Sequence, residues 1–191
     1  GMSKEAFETA ETLLDFGKKT ANPFSLSAGY WMKGYLYVLR NEFPIAIEKC
    51  EKAIQVSVNP LTSLSAQFVL SQAYILDGQF EKAEPYLKRI VSFSKKYGWE
   101  KTGTPAYLLL GIYWLGTGHM GKGFKIVKEV HDMSIITKRI NVYIYSEYLL
   151  GKIYLQLALG ESAINLQLLL KNAGFLIKHL PFASKKAEYH I

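Results

Sequence analysis

The sequence has one cysteine, Cys50, among its 191 residues, so it cannot form an internal disulfide bond. It also lacks a long apolar run, since the longest, which begins at Ala106, falls well short of the roughly 20 residues that cross a membrane. No signal peptide is visible, because the residues after Met2 are polar, and Gly1 is interpreted as a residue left by cloning. These absences predict a cytoplasmic protein without a membrane span.

Charge is moderate in amount and positive in balance. Charged residues make up 20% of the chain and hydrophobic residues 49%, a composition typical of a globular domain or a short repeat array. The net charge of +7 admits nucleic acid as a partner. The basic residues are scattered among glutamates at helix-surface spacings, which favours solvated outer faces. A nucleic-acid-binding helical repeat is the alternative, and it predicts binding that falls steeply with salt.

The main feature of the sequence is a repeat that occurs four times. In each copy a small residue is followed after three residues by an aromatic residue, and nine residues later by a second small residue. The first small column is Gly34, Ser71, Gly111 and Gly151; the aromatic column is Tyr37, Tyr74, Trp114 and Tyr154; the second small column is Ala46, Ala83, Gly123 and Ala163. Apolar residues recur at steps of three and four in each half, which predicts two amphipathic helices per copy.

These columns resemble the tetratricopeptide repeat, and "LSQAYILDGQFEKAEPYLKRI" is the closest copy. The resemblance implies an all-α fold, a right-handed superhelix of stacked antiparallel helix pairs with about 9–10 helices, forming a single domain over 1–191. The copies lie 37 or 40 residues apart, more than the family's usual period of about 34, which indicates longer second helices and connections. The predicted parts are a covering helix at 3–20, repeats at 27–60, 61–99, 103–135 and 138–180, and the start of a truncated helix at 182–191. The segment 163–178 is either the second helix of the fourth repeat or an inserted helix.

A narrower resemblance concerns the C-terminal half. "SEYLLGKIYLQLALGE" and "KNAGFLIKHLPFASKKAEYHI" look like the C-terminal helical arm of large bacterial signalling proteins that join a class III nucleotide cyclase to an AAA-type ATPase. The resemblance implies a regulatory or sensory arm, with any cyclase or ATPase activity lying in a part that this sequence does not contain. We therefore expect this chain to be a non-catalytic interaction module and a fragment of something longer.

The stretch "GTGHMGKG" from Gly116 contains the glycine spacing of a dinucleotide-binding loop. Such a loop needs a preceding strand, whereas the pattern before Gly116 is helical. Gly118 shares its column with Asn41 and Gly78, residue types that end helices in the left-handed conformation. The alignment thus predicts a turn between two helices. Gly116 and Gly121 stand where the second copy has Leu76 and Glu81, and these two extra glycines predict a looser turn.

No catalytic, cofactor-binding or metal site is expected. The four histidines, at 119, 131, 179 and 190, show no metal-ligand spacing, and Cys50 occupies a packing column. Adjacent His131 and Asp132 should point in different directions on a helix.

The family resemblance places a partner groove on the first helix of each pair. The candidate groove residues are Trp31, Tyr35, Phe68, Gln72, Leu108, Ile112, Tyr148 and Lys152. This set lacks the combination of Lys, Asn and Arg with which the family's best-known peptide site holds a terminal carboxylate, so an apolar or amphipathic helix is the expected partner. The alternatives are that these residues pack against other parts of the full-length chain or against a second copy in a homo-oligomer.

Overall fold

A computed structural model describes residues 2–98, 105–138 and 146, and seven α-helices account for most of these residues. The helices are α1 Met2–Thr20, α2 Pro23–Leu39, α3 Phe43–Val56, α4 Pro60–Leu76, α5 Phe80–Lys96, α6 Pro105–Gly116 and α7 Met120–Ile136. No strand occurs in this part of the chain. The predicted all-α class is therefore confirmed for the described residues, while the predicted fourth repeat and the segments at 163–178 and 182–191 lie outside them.

An Asn–Pro pair marks the start of two of the helices. Asn22 precedes α2 and Asn59 precedes α4, and each is followed by a proline at the first helical position. The Asn22 side chain accepts a hydrogen bond from the Ser25 N–H at 3.1 Å, and Asn59 accepts one from the Leu61 N–H at 2.8 Å. The repeat boundary predicted at 27 therefore falls inside α2, because the asparagine cap starts this helix four residues earlier.

Three helix pairs, α2–α3, α4–α5 and α6–α7, are joined by turns of one type. Asn41, Gly78 and Gly118 all adopt the left-handed conformation, with φ of 60°, 78° and 80°. In each turn the next residue donates its N–H to the carbonyl oxygen of the aromatic column, over 2.8–3.0 Å. The acceptors are Tyr37, Tyr74 and Trp114. This is the Schellman arrangement, which satisfies carbonyl groups at the helix end. The predicted equivalence of the three positions is confirmed.

The second helix of each pair then begins two residues later, at Phe43, Phe80 or Met120. In these three pairs the second small residue donates its N–H to the carbonyl oxygen of the residue just before that helix. The predicted turn in "GTGHMGKG" is thus confirmed: Gly116 ends α6, Gly118 forms the turn, and Met120 begins α7.

The turn positions yield a direct test. Replacing Gly118 with alanine should cost about 1 kcal/mol, because its φ of 80° strains any residue with a Cβ atom. Steric overlap adds nothing, since no heavy atom lies within 4 Å of a Cβ built there. Asn41→Gly should lie within about 0.5 kcal/mol of wild type, because asparagine and glycine both tolerate this conformation. Urea unfolding followed by circular dichroism measures both changes, and equal costs at the two sites would contradict a shared turn.

The chain divides into two compact units, Gly1–Ile90 and Val91–Ile191, with the division inside α5. In the first unit, α1 packs on α2, α2 packs on α3 and α4, and α3 packs on α4. Helices α2 and α3 approach closely at Gly34, where an added Cβ atom would overlap the Cys50 Sγ and lie 3.3 Å from the Ala46 carbonyl oxygen. The small columns are therefore small because α2 and α3 are in contact there.

The C-terminal end of α3 differs from the other helix ends in this unit. Ser57, which follows α3, is extended, and its N–H donates to the Ile54 carbonyl instead of that of Ala53. The fully buried Ser27 hydroxyl, from α2, donates to the Ala53 carbonyl oxygen at 3.0 Å. A side chain of the neighbouring helix thus satisfies a carbonyl group that would otherwise lack a donor.

The second unit contains the same close approach between α6 and α7. A Cβ atom built on Gly111 would lie 2.7 Å from the Val127 side chain, and one built on Gly123 would lie 2.9 Å from the Leu115 backbone nitrogen. Val127 is fully buried. The close-packing role predicted for Gly123 is confirmed.

Candidate functional site

The first helices of the three pairs are almost free of charge. Neither α4 nor α6 contains a lysine, arginine, aspartate or glutamate, and α2 contains only Lys33. The Lys33 ammonium forms an ion pair with Glu11 on α1. Helices with so little charge are usually packed over much of their surface, so apolar surface that remains exposed on α2 and α4 is a candidate for contact with another molecule.

The second helices carry the charges instead, and many of these are paired along one helix. On α3, Glu48 accepts hydrogen bonds from Lys52 at 2.7 Å and from Lys49 at 2.9 Å. These bonds and the two positive charges lower the pKa of Glu48 to about 2. Lys88 pairs with Glu84 in the same way on α5, at 2.7 Å. This pattern supports solvated outer faces and does not single out a surface for nucleic acid.

The structure places the eight predicted groove residues in three different situations. Trp31 and Tyr35 lie on α2 and Phe68 and Gln72 on α4, two helices that pack together; Tyr35 is 37% exposed and the other three are half-buried. Leu108 and Ile112 on α6 are each 4% exposed, so their side chains are not available to an outside partner. Tyr148 and Lys152 lie outside the described residues.

Two polar groups modify this otherwise apolar face. Tyr35 keeps its hydroxyl protonated over an extended pH range, because partial burial raises its pKa. Gln72 has its Oε1 atom buried without a hydrogen-bond partner among the described residues. An unpaired buried acceptor is unfavourable by about 1–3 kcal/mol. If the Gln72 side chain rotated to meet a donor from a partner, the new hydrogen bond would stabilise the complex.

Two further exposed apolar side chains, not predicted from the sequence, lie at the start of the same two helices. Phe24 is 51% exposed and Leu61 is 58% exposed, and each is the second residue of its helix, directly after the proline. They lie one repeat spacing of 37 residues apart. The paired Asn–Pro helix starts were the signal that could have revealed them, because they fix the register of both helices.

The side chains around the "GTGHMGKG" turn pack against one another instead of forming an anion site. The Trp114 ring meets the His119 ring edge-on at 4.9 Å, and the Lys122 ammonium lies 4.7 Å from the centre of the Trp114 ring. The His119 Nδ1 atom lies 3.2 Å from the Thr117 hydroxyl. Since a helix precedes these glycines, the strand–turn–helix geometry of a nucleotide loop does not occur here.

No group of three or more His, Cys, Asp or Glu side chains within 2–98 and 105–138 is arranged to hold a metal ion.

The expectation that His131 and Asp132 point apart was wrong, since the His131 Nδ1 and Asp132 Oδ1 atoms are 3.1 Å apart. Rotation about the side-chain bonds brings together two groups whose Cβ atoms diverge. His179 and His190 lie outside the described residues. None of the helices described is long and apolar enough to span a membrane.

Cys50 is fully buried against Gly34, as its column predicted. Burial, with a smaller effect from Glu51, raises the pKa of its thiol to about 12. We therefore expect Cys50 in the native protein to react with Ellman's reagent at pH 8 at least about a hundredfold more slowly than in urea, because thiolate and access are both lacking. An Ile45→Cys variant in a Cys50→Ala background provides the control, since position 45 is exposed and should react at once. Fast native labelling of Cys50 would show that α2 and α3 separate readily.

In the part of the chain that the structure describes, the protein is thus all-α and is built from helical hairpins with the same turn. Comparisons of the chain with protein-family models, with curated proteins and with solved structures find no match.

Proposed function

We propose that this chain is a non-catalytic protein-binding module, and that the face shared by α2 and α4 binds an uncharged, apolar side of a partner helix. The main support for this proposal is that α2 and α4 carry almost no charge and yet keep aromatic side chains partly exposed. These side chains are Trp31, Tyr35 and Phe68. A partner that brought a charged group to this face would lose its hydration without gaining an opposite charge. An apolar helix face has no such cost.

We propose in addition that the hairpins have tetratricopeptide-like, right-handed stacking, which within the first unit would place α2 and α4 side by side along one groove. The three matching turns, the close approaches at Gly34 and Gly111, and the packing of α2 on α4 support this arrangement. Equivalent residues of successive first helices would then form continuous rows, with Tyr35 beside Gln72 and Trp31 beside Phe68.

The binding face can be tested by photo-cross-linking. Position 35 on α2 and position 45 on α3 are equally exposed, at 37% each, but only the first belongs to the proposed face. With p-benzoylphenylalanine introduced at 35, we expect a cross-linked partner in cells of the source organism, identified by mass spectrometry. The same amino acid at 45 should not capture that partner. Capture at both positions, or at 45 alone, would place the binding surface elsewhere.

The purified partner then allows a quantitative measurement. Tyr35→Ala should weaken binding about tenfold or more, equivalent to about 1.4 kcal/mol, because aromatic anchors carry much of an interface's energy. Ile45→Ala should change the dissociation constant less than twofold. Both variants should retain the wild-type circular dichroism spectrum, so a loss of affinity reports on contact and not on folding. An unchanged affinity for Tyr35→Ala would contradict the proposal.

We propose further that the module is the regulatory arm of a larger cyclase–ATPase signalling protein. The resemblance in the last 110 or so residues supports this idea, and about half of these residues lie outside the described part of the chain. The reading frame around this sequence provides the test. A P-loop or cyclase motif upstream is the expected result, and a frame that contains neither would exclude the arm.

A further inference from the structure

We draw no further inference here: the strongest candidate, the half-exposed aromatic face that α2 and α4 form around Trp31, Tyr35 and Phe68, belongs to the site already described, and nothing in the structure shows what covers it.

Discussion

Replacing Gly34 with alanine is expected to lower the free energy of unfolding by about 2–3 kcal/mol. The added methyl group would overlap the Cys50 Sγ and press against the Ala46 carbonyl oxygen at 3.3 Å. The sulfur and the backbone at Ala46 are fully buried, so α2 and α3 would have to move apart to make room. Urea unfolding followed by circular dichroism measures the change.

A double-mutant cycle identifies the cause of this loss. Cys50→Ala alone should cost about 1 kcal/mol, since it removes one buried atom. In the double variant the new methyl group fills the space that the sulfur vacates, so the combined cost should be smaller than the sum by about 1 kcal/mol or more. Gly121→Ala is the matched control, because its added Cβ atom meets nothing within 4 Å. There the helix should gain about 0.5–1 kcal/mol. Strict additivity of the first pair would contradict the contact.

Replacing Ser27 with alanine is expected to cost about 2 kcal/mol, although it removes a single oxygen atom. The Ser27 hydroxyl donates to the Ala53 carbonyl at 3.0 Å, and both residues are fully buried, so solvent cannot replace the lost donor. Because Ser57 donates to Ile54, the backbone does not supply one either. The same urea unfolding experiment measures this cost.

Ser65→Ala is the control for Ser27→Ala. The Ser65 hydroxyl donates to the Leu61 carbonyl within its own helix, at the same distance of 3.0 Å, but this bond lies at an exposed position. Water can solvate that carbonyl when the hydroxyl is removed, and alanine favours the helix, so stability should stay within about 0.5 kcal/mol of wild type. A similar loss at both serines would show that the buried bond has no special role.

Sequence reasoning predicted the helix pairs and their turns because both are determined locally. The spacing of apolar residues indicates a helix, and a residue such as Gly78 or Asn41 at a column of helix ends indicates the left-handed turn. The start of α2 was missed even though it is also local, since Asn22 and Pro23 carry the same start signal as Asn59 and Pro60.

The candidate site was less predictable, because burial depends on what covers a helix. Leu108 shares a column with Trp31 and Phe68, yet it is buried and they are partly exposed. Their shared position in the repeat does not distinguish these environments. The bond from Ser27 to Ala53 is likewise a consequence of how α2 lies against α3, which no single-helix pattern encodes.

The shared turns also bear on how such a chain can diverge after duplication of a hairpin. In all three pairs the two small columns are twelve positions apart, as for Gly34 and Ala46, and the turn hydrogen bonds fix this spacing. The second helices vary more freely, since α3 has 14 residues and α5 has 17. Insertions and deletions should therefore accumulate beyond the second small column of each duplicate. A hairpin from one position in the chain could accordingly replace a hairpin at another, provided that the twelve-position spacing between its two small residues is kept.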